Sequence, residues 1–548
     1  MHRRSGGQLL KSWLQAGDRP NVTTSVPLPV SLVDTTTPIA KGPRRSRGLL
    51  IAASAVTLAC FLIAAISLAK AKIPWCDEGW FANPAYNLAF HGNMGTDVLE
   101  PSGHYLNAYL SGIERHTYVV PPLYLVNLAG WYRLFGFSLL STRLLSLFWA
   151  CVALGALFSL VFSLTRRPWL AFLSAALTSL DVLFLWGAVD GRMDMMCSAL
   201  GLTAIAVYLL LRERNLNHAI FWSHGLAAAA LLTHPNAIAA ITVLLYLTFV
   251  LDRARLRGHH LLVAGAPYVI FFLAWLPYIL QSPSDFRAQF LANAAGPGSA
   301  RLTALRKPWT LLVGEISKYF TAYGVYPEWS GPINRWAKFI PAIYFTAAAV
   351  CIFSRKIRTD AASRLLAGSA LVYLAAVTVL IGFKAQNYLV LSLPWNGALL
   401  AVALPSLWRS HTSNKLLAAF LGVNFLWMQG AAIVEKIQRD DYHRQYLPVA
   451  SMARQYVGEG RHVVASAAFG FEIPFNEFRD DVRLGLYSGA RPDVVVVEPV
   501  YRFWYGHLAK NEPAVQAYTS ELLGRSRLVR HEEMIDVYEV TSRPEPAH

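Results

Sequence analysis

The sequence predicts a polytopic α-helical membrane protein of about eleven transmembrane helices, with interfacial helices in its first outer loop and a small C-terminal extracytoplasmic α/β domain. Three observations carry that expectation. Of the 548 residues, 55% are hydrophobic and only 15% are charged, whereas soluble domains carry about 25% charged residues. The apolar residues gather in runs close to the ~20 residues that a helix needs to cross a ~30 Å hydrocarbon core. The net charge of +16 would suggest nucleic acid on a soluble chain. Here the basic residues fall between the apolar runs, where they read as an orientation signal, and no nucleic-acid partner is expected.

The spans are expected near 49–69, 139–164, 168–189, 193–211, 218–232, 234–251, 261–280, 338–354, 363–382, 388–408 and 415–433. The pair flanking His234 is short, which suggests a broken or re-entrant element. Residues 1–48 are polar and basic, unlike a signal peptide, and are read as a cytoplasmic segment. Orientation follows from Lys and Arg. The five short loops near Arg166, Arg212, Arg253, Arg355 and Arg409, with their flanks, hold thirteen basic residues, and the opposite short loops hold only Arg192 and Lys384. The positive-inside rule then places the N-terminus in the cytoplasm of an inner (plasma) membrane, with the C-terminus outside.

A further apolar run, 117–137, is long enough to span, but a span there would invert every later loop. It is read as an interfacial helix anchored by Tyr124, Trp131 and Tyr132. The outer parts are then a first loop over 70–138, a second over 281–337, and a tail over 434–548 that follows a transmembrane domain of 49–433. In the tail, HVVAS and DVVVVEP look like buried strands, EPAVQAYTSELL looks helical, and MIDVYEV alternates like an edge strand. No Gly-rich loop follows a strand, so no nucleotide site is expected. Cys60, Cys151, Cys197 and Cys351 lie in apolar runs and Cys76 alone in a polar one; no disulfide framework or zinc spacing results.

Ionisable residues at a membrane are costly and mark functional sites. The candidates are Asp77 and Glu78 just after the first span, Arg143 in the outer turn of the second, and Asp190, Arg192 and Asp194 between the third and fourth. Lys384 with Asn387 and Tyr388 follows the ninth, and His234 lies between the short spans. The deduced orientation brings Asp77, Glu78, Arg143, Arg192, Asp194 and Lys384 to the outer face. Carboxylates there suit activation of an acceptor hydroxyl, and Arg and Lys suit a phosphate.

The Asp-Glu pair after span one, the PPLY motif at Pro121–Tyr124 and LxxxRLLS at Leu139–Ser146 recur in an order that resembles the GT-C glycosyltransferases, specifically the protein O-mannosyltransferase and bacterial aminoarabinose transferase branch. The likeness covers roughly 49–250, with FKAQNYLVLSLPW as a later echo. It implies a sugar donor on a polyprenyl phosphate, Asp77 as catalytic base, Glu78 as its positioning neighbour, and Arg143 as a phosphate-side or structural contact. It also implies substrate-binding roles for Arg192, Asp194, Lys384 and Tyr388; His234 joins them as a candidate from its place at the helix break. Val120 stands where protein mannosyltransferases carry a His before the two prolines, and no large domain interrupts 281–337. The compact form resembles a bacterial enzyme acting on a lipid, glycan or protein acceptor among membrane lipids. No cofactor is required, and a divalent cation near Glu78 is compatible with the reading. Tyr319, Tyr323 and Trp329 are expected in a lid over the sugar. The rival is a transporter or flippase for a lipid-linked sugar, which would spread its charges through the midplane.

Overall fold

The computed structural model describes residues 44–104, 110–291, 307–324, 337–382 and 384–541. Helices occupy each of the eleven expected spans. Among the described residues, eight helices are long and apolar enough to cross a membrane, and nine if one sharply bent pair counts as a single span. Leu389–Trp408 is the most enclosed of them, buried along most of its length. The opening helix Arg44–Ala71 lies at the periphery and turns Leu49, Ile51, Val56 and Ile63 outward.

The expected span 168–189 is not one helix. Pro168–Ser179 and Val182–Ala188 meet at 74°. The cause is Asp181, whose Oδ1 accepts from the backbone N–H groups of Leu183 and Phe184. That capping starts a new helix and offers the backbone an alternative to continuing the old one. Its Oδ2 accepts from the hydroxyls of Tyr323 at 2.5 Å and Tyr344 at 2.6 Å and from the amide of Gln429 at 2.7 Å. One buried carboxylate therefore ties the break to three other helices, Pro308–Gly324, Ile340–Phe353 and Thr412–Arg439.

Two expectations change in the outer loops. The 281–337 segment contains helix Pro308–Gly324, which buries Tyr319 and Tyr323 in the bundle rather than holding them in a lid; Trp329 lies outside the described residues. Tyr124 and Tyr132 on helix Leu123–Phe135 also turn inward and are buried, so they are not exposed anchors. The Tyr132 hydroxyl meets Thr142 Oγ1 at 2.6 Å and Trp131 donates to the Ser141 carbonyl, which fastens that helix to Leu139–Thr165.

After Thr412–Arg439 the chain forms a four-stranded sheet, β1 (Val463–Val464), β2 (Val494–Val497), β3 (Arg527–His531) and β4 (Asp536–Glu539), in the order β1-β2-β4-β3. β1 and β2 are parallel and the other pairs antiparallel. MIDVYEV thus supplies an inner strand, β4; the edges are β1 and β3, and the polar sequence RLVRH of β3 carries no strand signal. The unbroken valine run of β2 has a plain origin. Val494 and Val496 join the main core while Val495 and Val497 join a second one against Tyr501, Val515 and Leu522. A strand covered on both faces needs apolar residues at every position.

Candidate active site

The local sequence KIPWCDEGW follows the first helix and opens helix Cys76–Phe90. Glu78 reaches back to accept from the Trp75 N–H at 2.9 Å, closing the first turn. Both its oxygens are then filled by the Nε and Nη2 groups of Arg143, each at 2.9 Å, and by the Gly191 N–H at 3.0 Å. Glu78 and Arg143 are each 0% exposed. Burial would push the Glu78 carboxyl up, but Arg143 and then Lys72 outweigh it and hold it well below the carboxylate range, at about 2. The remaining Arg143 donors go to the carbonyls of Ala69, Lys72 and Ile73, at the end of the first helix. Every N–H of Arg143 thus meets a protein acceptor, which fits the structural one of the two roles expected for it. Glu78 likewise faces protein donors, Arg143 and the Trp75 and Gly191 N–H groups, with Lys72 at 3.9 Å.

Asp77 points the other way. Its side chain is 20% exposed and pairs with Arg192 Nη1, while Arg192 Nε donates to Asp194 Oδ2 at 2.8 Å. Arg192 stands immediately before helix Met193–Leu211, which carries Asp194 in its first turn. Asp194 Oδ1 lies 3.8 Å from His234 Nε2. His234 Nδ1 accepts from the Asn236 N–H, so the neutral ring carries its proton on Nε2, toward Asp194. The Tyr388 ring stands edge-on to His234 at 5.0 Å. Five of the expected residues, Asp77, Arg192, Asp194, His234 and Tyr388, therefore form one continuous group.

Lys384 does not join it. Its ammonium pairs with Glu315 at 3.0 Å and caps the Val377 and Thr378 carbonyls at the end of helix Ala361–Leu380. The helix end and Glu315 together satisfy that charge.

Arg192 and Asp194 line a cavity of about 1490 Å³ of empty space that opens to solvent. Its other basic residues, Lys72, Lys436 and Arg439, are not among those the sequence singles out. Lys72 donates to Asp190 at 2.9 Å, and burial raises that carboxyl to about 6 against the pull of Lys72. The ammonium groups of Lys72 and Lys436 lie 4.6 and 4.8 Å from the Trp186 ring centre, which brings two helix ends onto one indole. Each of these residues follows an apolar run, where a basic side chain reads as a flank; only the meeting of Lys72 and Lys436 across 364 positions distinguishes them. Glu498, just after β2, also lines the cavity. Among the described residues no group of three or more His, Cys, Asp and Glu is arranged to hold a metal ion.

No family model and no curated protein matches the sequence. Solved structures do match. ArnT from Cupriavidus metallidurans in the apo state superposes with a TM-score of 0.51 at 15% identity, over 90% of this chain and 98% of that one. The same protein bound to undecaprenyl phosphate gives 0.49 at 16% identity, over 88% and 97%. The Archaeoglobus fulgidus oligosaccharyltransferase with Zn and sulfate gives 0.49 at 12%, over 88% and 73%. At such identities likeness speaks for the fold. On the first of these superpositions, the chain has the fold of ArnT from Cupriavidus metallidurans.

Proposed function

We propose that this chain is a membrane glycosyltransferase that moves a sugar from a polyprenyl-phosphate donor to a lipid, glycan or protein acceptor outside the membrane, with inversion. The observation that carries the reading is one juxtaposition. Asp77, partly exposed, is joined through Arg192 to a cavity that also gathers Lys72, Lys436 and Arg439. A phosphate group needs cations at its oxygens, and a hydroxyl nucleophile needs a base beside it.

In the reaction the acceptor oxygen bonds to the anomeric carbon as the bond from that carbon to the phosphate oxygen breaks. The acceptor proton passes to Asp77, and polyprenyl phosphate leaves with its charge held by the cations. A donor phosphate that engages Arg192 competes with Asp77 for the guanidinium and leaves the carboxylate ready to accept that proton. Glu78 and Arg143 act behind it by fixing the turn that carries Asp77. These steps require no divalent cation, and one near Glu78 is compatible with them.

Purified protein given a radiolabelled polyprenyl-phosphate sugar should release polyprenyl phosphate, and Asp77→Asn should stop release while the protein stays folded. Turnover of that variant at the parent rate would remove Asp77 as base. Movement of intact donor across a vesicle bilayer, without release, would favour a flippase instead. Cys76 is buried, so topology is better tested at the exposed His462. A membrane-impermeant maleimide added outside should label His462→Cys, and labelling only after the membrane is broken would reverse the orientation.

A further inference from the structure

The cavity has two unlike walls. Helix ends and turns of the bundle contribute Lys72, Arg192, Lys436 and Arg439 together with Asp190, Asp194 and Asp441, whereas the segment after β2 contributes Glu498 followed by Pro499 and Val500. Glu498 is 3% exposed; its Oε1 makes no well-formed hydrogen bond among the described residues, the Ser466 hydroxyl being the neighbour that comes near the carboxyl and Arg502 the nearby cation. A carboxyl so placed is a standing cost to the fold. A packing role would be filled better by an apolar side chain of the same size.

The sheet region is also locked onto the helix that bears Asp77. A Cβ at Gly79 would collide with the Ala467 carbonyl, so only glycine permits this approach. Trp80 Nε1 donates to Asp480 Oδ2 at 2.8 Å, and the Tyr501 hydroxyl donates to Asp480 Oδ1 at 2.9 Å. The Cys76 thiol, next to Asp77, is pushed up by burial first and then by Glu498 and Asp480, with Arg192 opposing. Trp75, one residue earlier, lines the same cavity. A carboxyl exchanges hydrogen bonds with hydroxyls, and an indole covers the C–H face of a sugar ring.

Resting on the glycosyl-transfer reading above, we propose that Glu498 binds a hydroxyl of a carbohydrate acceptor, a glycan or glycolipid, and that the sheet region thereby selects the acceptor that Asp77 deprotonates. Burial raises the Glu498 carboxyl to about 8, so at neutral pH it can donate a hydrogen bond as well as accept one. Glu498 is a positioning residue for the acceptor, while the cations opposite hold the donor.

The test uses full-length protein in nanodiscs with two probes, decaprenyl phosphate for the donor side and hexyl maltoside for the acceptor side. Glu498→Leu should unfold at a higher temperature than the parent, because it removes a buried carboxyl with an unpartnered oxygen. It should nonetheless bind hexyl maltoside about tenfold more weakly, the value of one or two lost hydrogen bonds. Its decaprenyl phosphate affinity should stay within about twofold. Glu498→Gln, neutral and able to donate, should restore most of the maltoside affinity. Unchanged maltoside binding in Glu498→Leu overturns the proposal, as does a lower unfolding temperature with both affinities lost. Parent protein that binds decaprenyl phosphate but not the maltoside overturns the carbohydrate acceptor and leaves glycosyl transfer standing. Maltoside binding that depends on Glu498, without decaprenyl phosphate binding, does the reverse.

Discussion

Arg143 and Glu78 form a two-bond pair that is closed to solvent, and the other donors of Arg143 hold three carbonyls at the end of the first helix. The pair therefore sets the angle at which the chain leaves that helix and enters the one that carries Asp77. Removing one partner leaves a buried charge unpaired, which costs about 3–5 kcal/mol. Arg143→Leu should lower thermal stability by that order. Arg143→Leu combined with Glu78→Leu should recover part of the loss, since no lone charge remains. A double variant less stable than Arg143→Leu by the full cost of a second independent change would show that the two residues are not coupled.

Arg192 bridges Asp77 and the buried Asp194, so its removal strands Asp194 and should lower stability as well as turnover. Arg192→Ala should lower the rate of polyprenyl phosphate release by about 10²–10³, the range for losing one preorganised charge at a developing anion. Lys436→Ala and Arg439→Ala should instead weaken donor binding, each by about tenfold or 1.4 kcal/mol. Titration of decaprenyl phosphate against the three variants separates these outcomes. Equal losses of affinity with unchanged turnover in all three would place Arg192 with the binding cations.

Much of this is legible in the sequence, and the misses have identifiable causes. Asp77, Arg192, Asp194, His234 and Tyr388 stand out because they are charged or polar residues set against apolar helices, and they do meet. Arg143 and Glu78 stand out too, yet their mutual pairing is hidden by the 65 positions between them. Lys384 joins the candidates through a shared membrane face, which is a statement of depth; lateral position is set by helix packing, and that takes it to Glu315. Lys72, Lys436 and Arg439 read as helix flanks, and Glu498 as the end of a strand. Asp181 is different. An acid inside the run LTSLDVLFLWG is a visible signal of a costly group, and it marks a helix break where hydropathy alone suggests a continuous span.

Asp181 also gives a test of the bundle. Asp181→Ala leaves the Tyr323 and Tyr344 hydroxyls and the Gln429 amide without their shared acceptor. Each orphaned group costs about 1–3 kcal/mol, so this variant should be among the least stable single changes in the protein. Adding Tyr344→Phe should destabilise it little further, because the hydroxyl it removes has lost its acceptor and keeps only the neighbouring Tyr323 hydroxyl. Additive losses in thermal unfolding would mean that Tyr344 has another partner.

Gly79 tests the coupling of the sheet region to the reacting group. A methyl at this position meets backbone, not a yielding side-chain tip, so Gly79→Ala must shift the helix or the Ala467–Phe471 turn. Overpacking of this kind costs about 1–3 kcal/mol. Because Asp77 lies two residues away, release of polyprenyl phosphate should fall more than stability alone explains, while decaprenyl phosphate affinity is kept. Parent-like turnover in a protein of lowered stability would show that the contact serves the fold alone.

The pH dependence of stability offers a separate test of Glu498. Its carboxyl titrates near 8 in the folded protein, chiefly through burial, against an ordinary value of 4.5. Between those two values the unfolded chain has released the proton and the folded chain has kept it, so folding loses stability as pH rises from about 4.5 to 8. Above 8 the full penalty is present; below 4.5 it is absent. Across that window each step of one pH costs about 1.4 kcal/mol, so the penalty reaches several kcal/mol at pH 8. Glu498→Leu abolishes this contribution. The gain in unfolding temperature of the variant over the parent should therefore be small at pH 5 and grow steadily toward pH 8. Glu78 contributes the opposite sign but titrates near 2, and its loss of stabilisation on acidification lies below this window. A gain that is constant between pH 5 and 8 would mean that Glu498 is already ionised at the lower value, and that its carboxyl meets a cation or water in the folded protein.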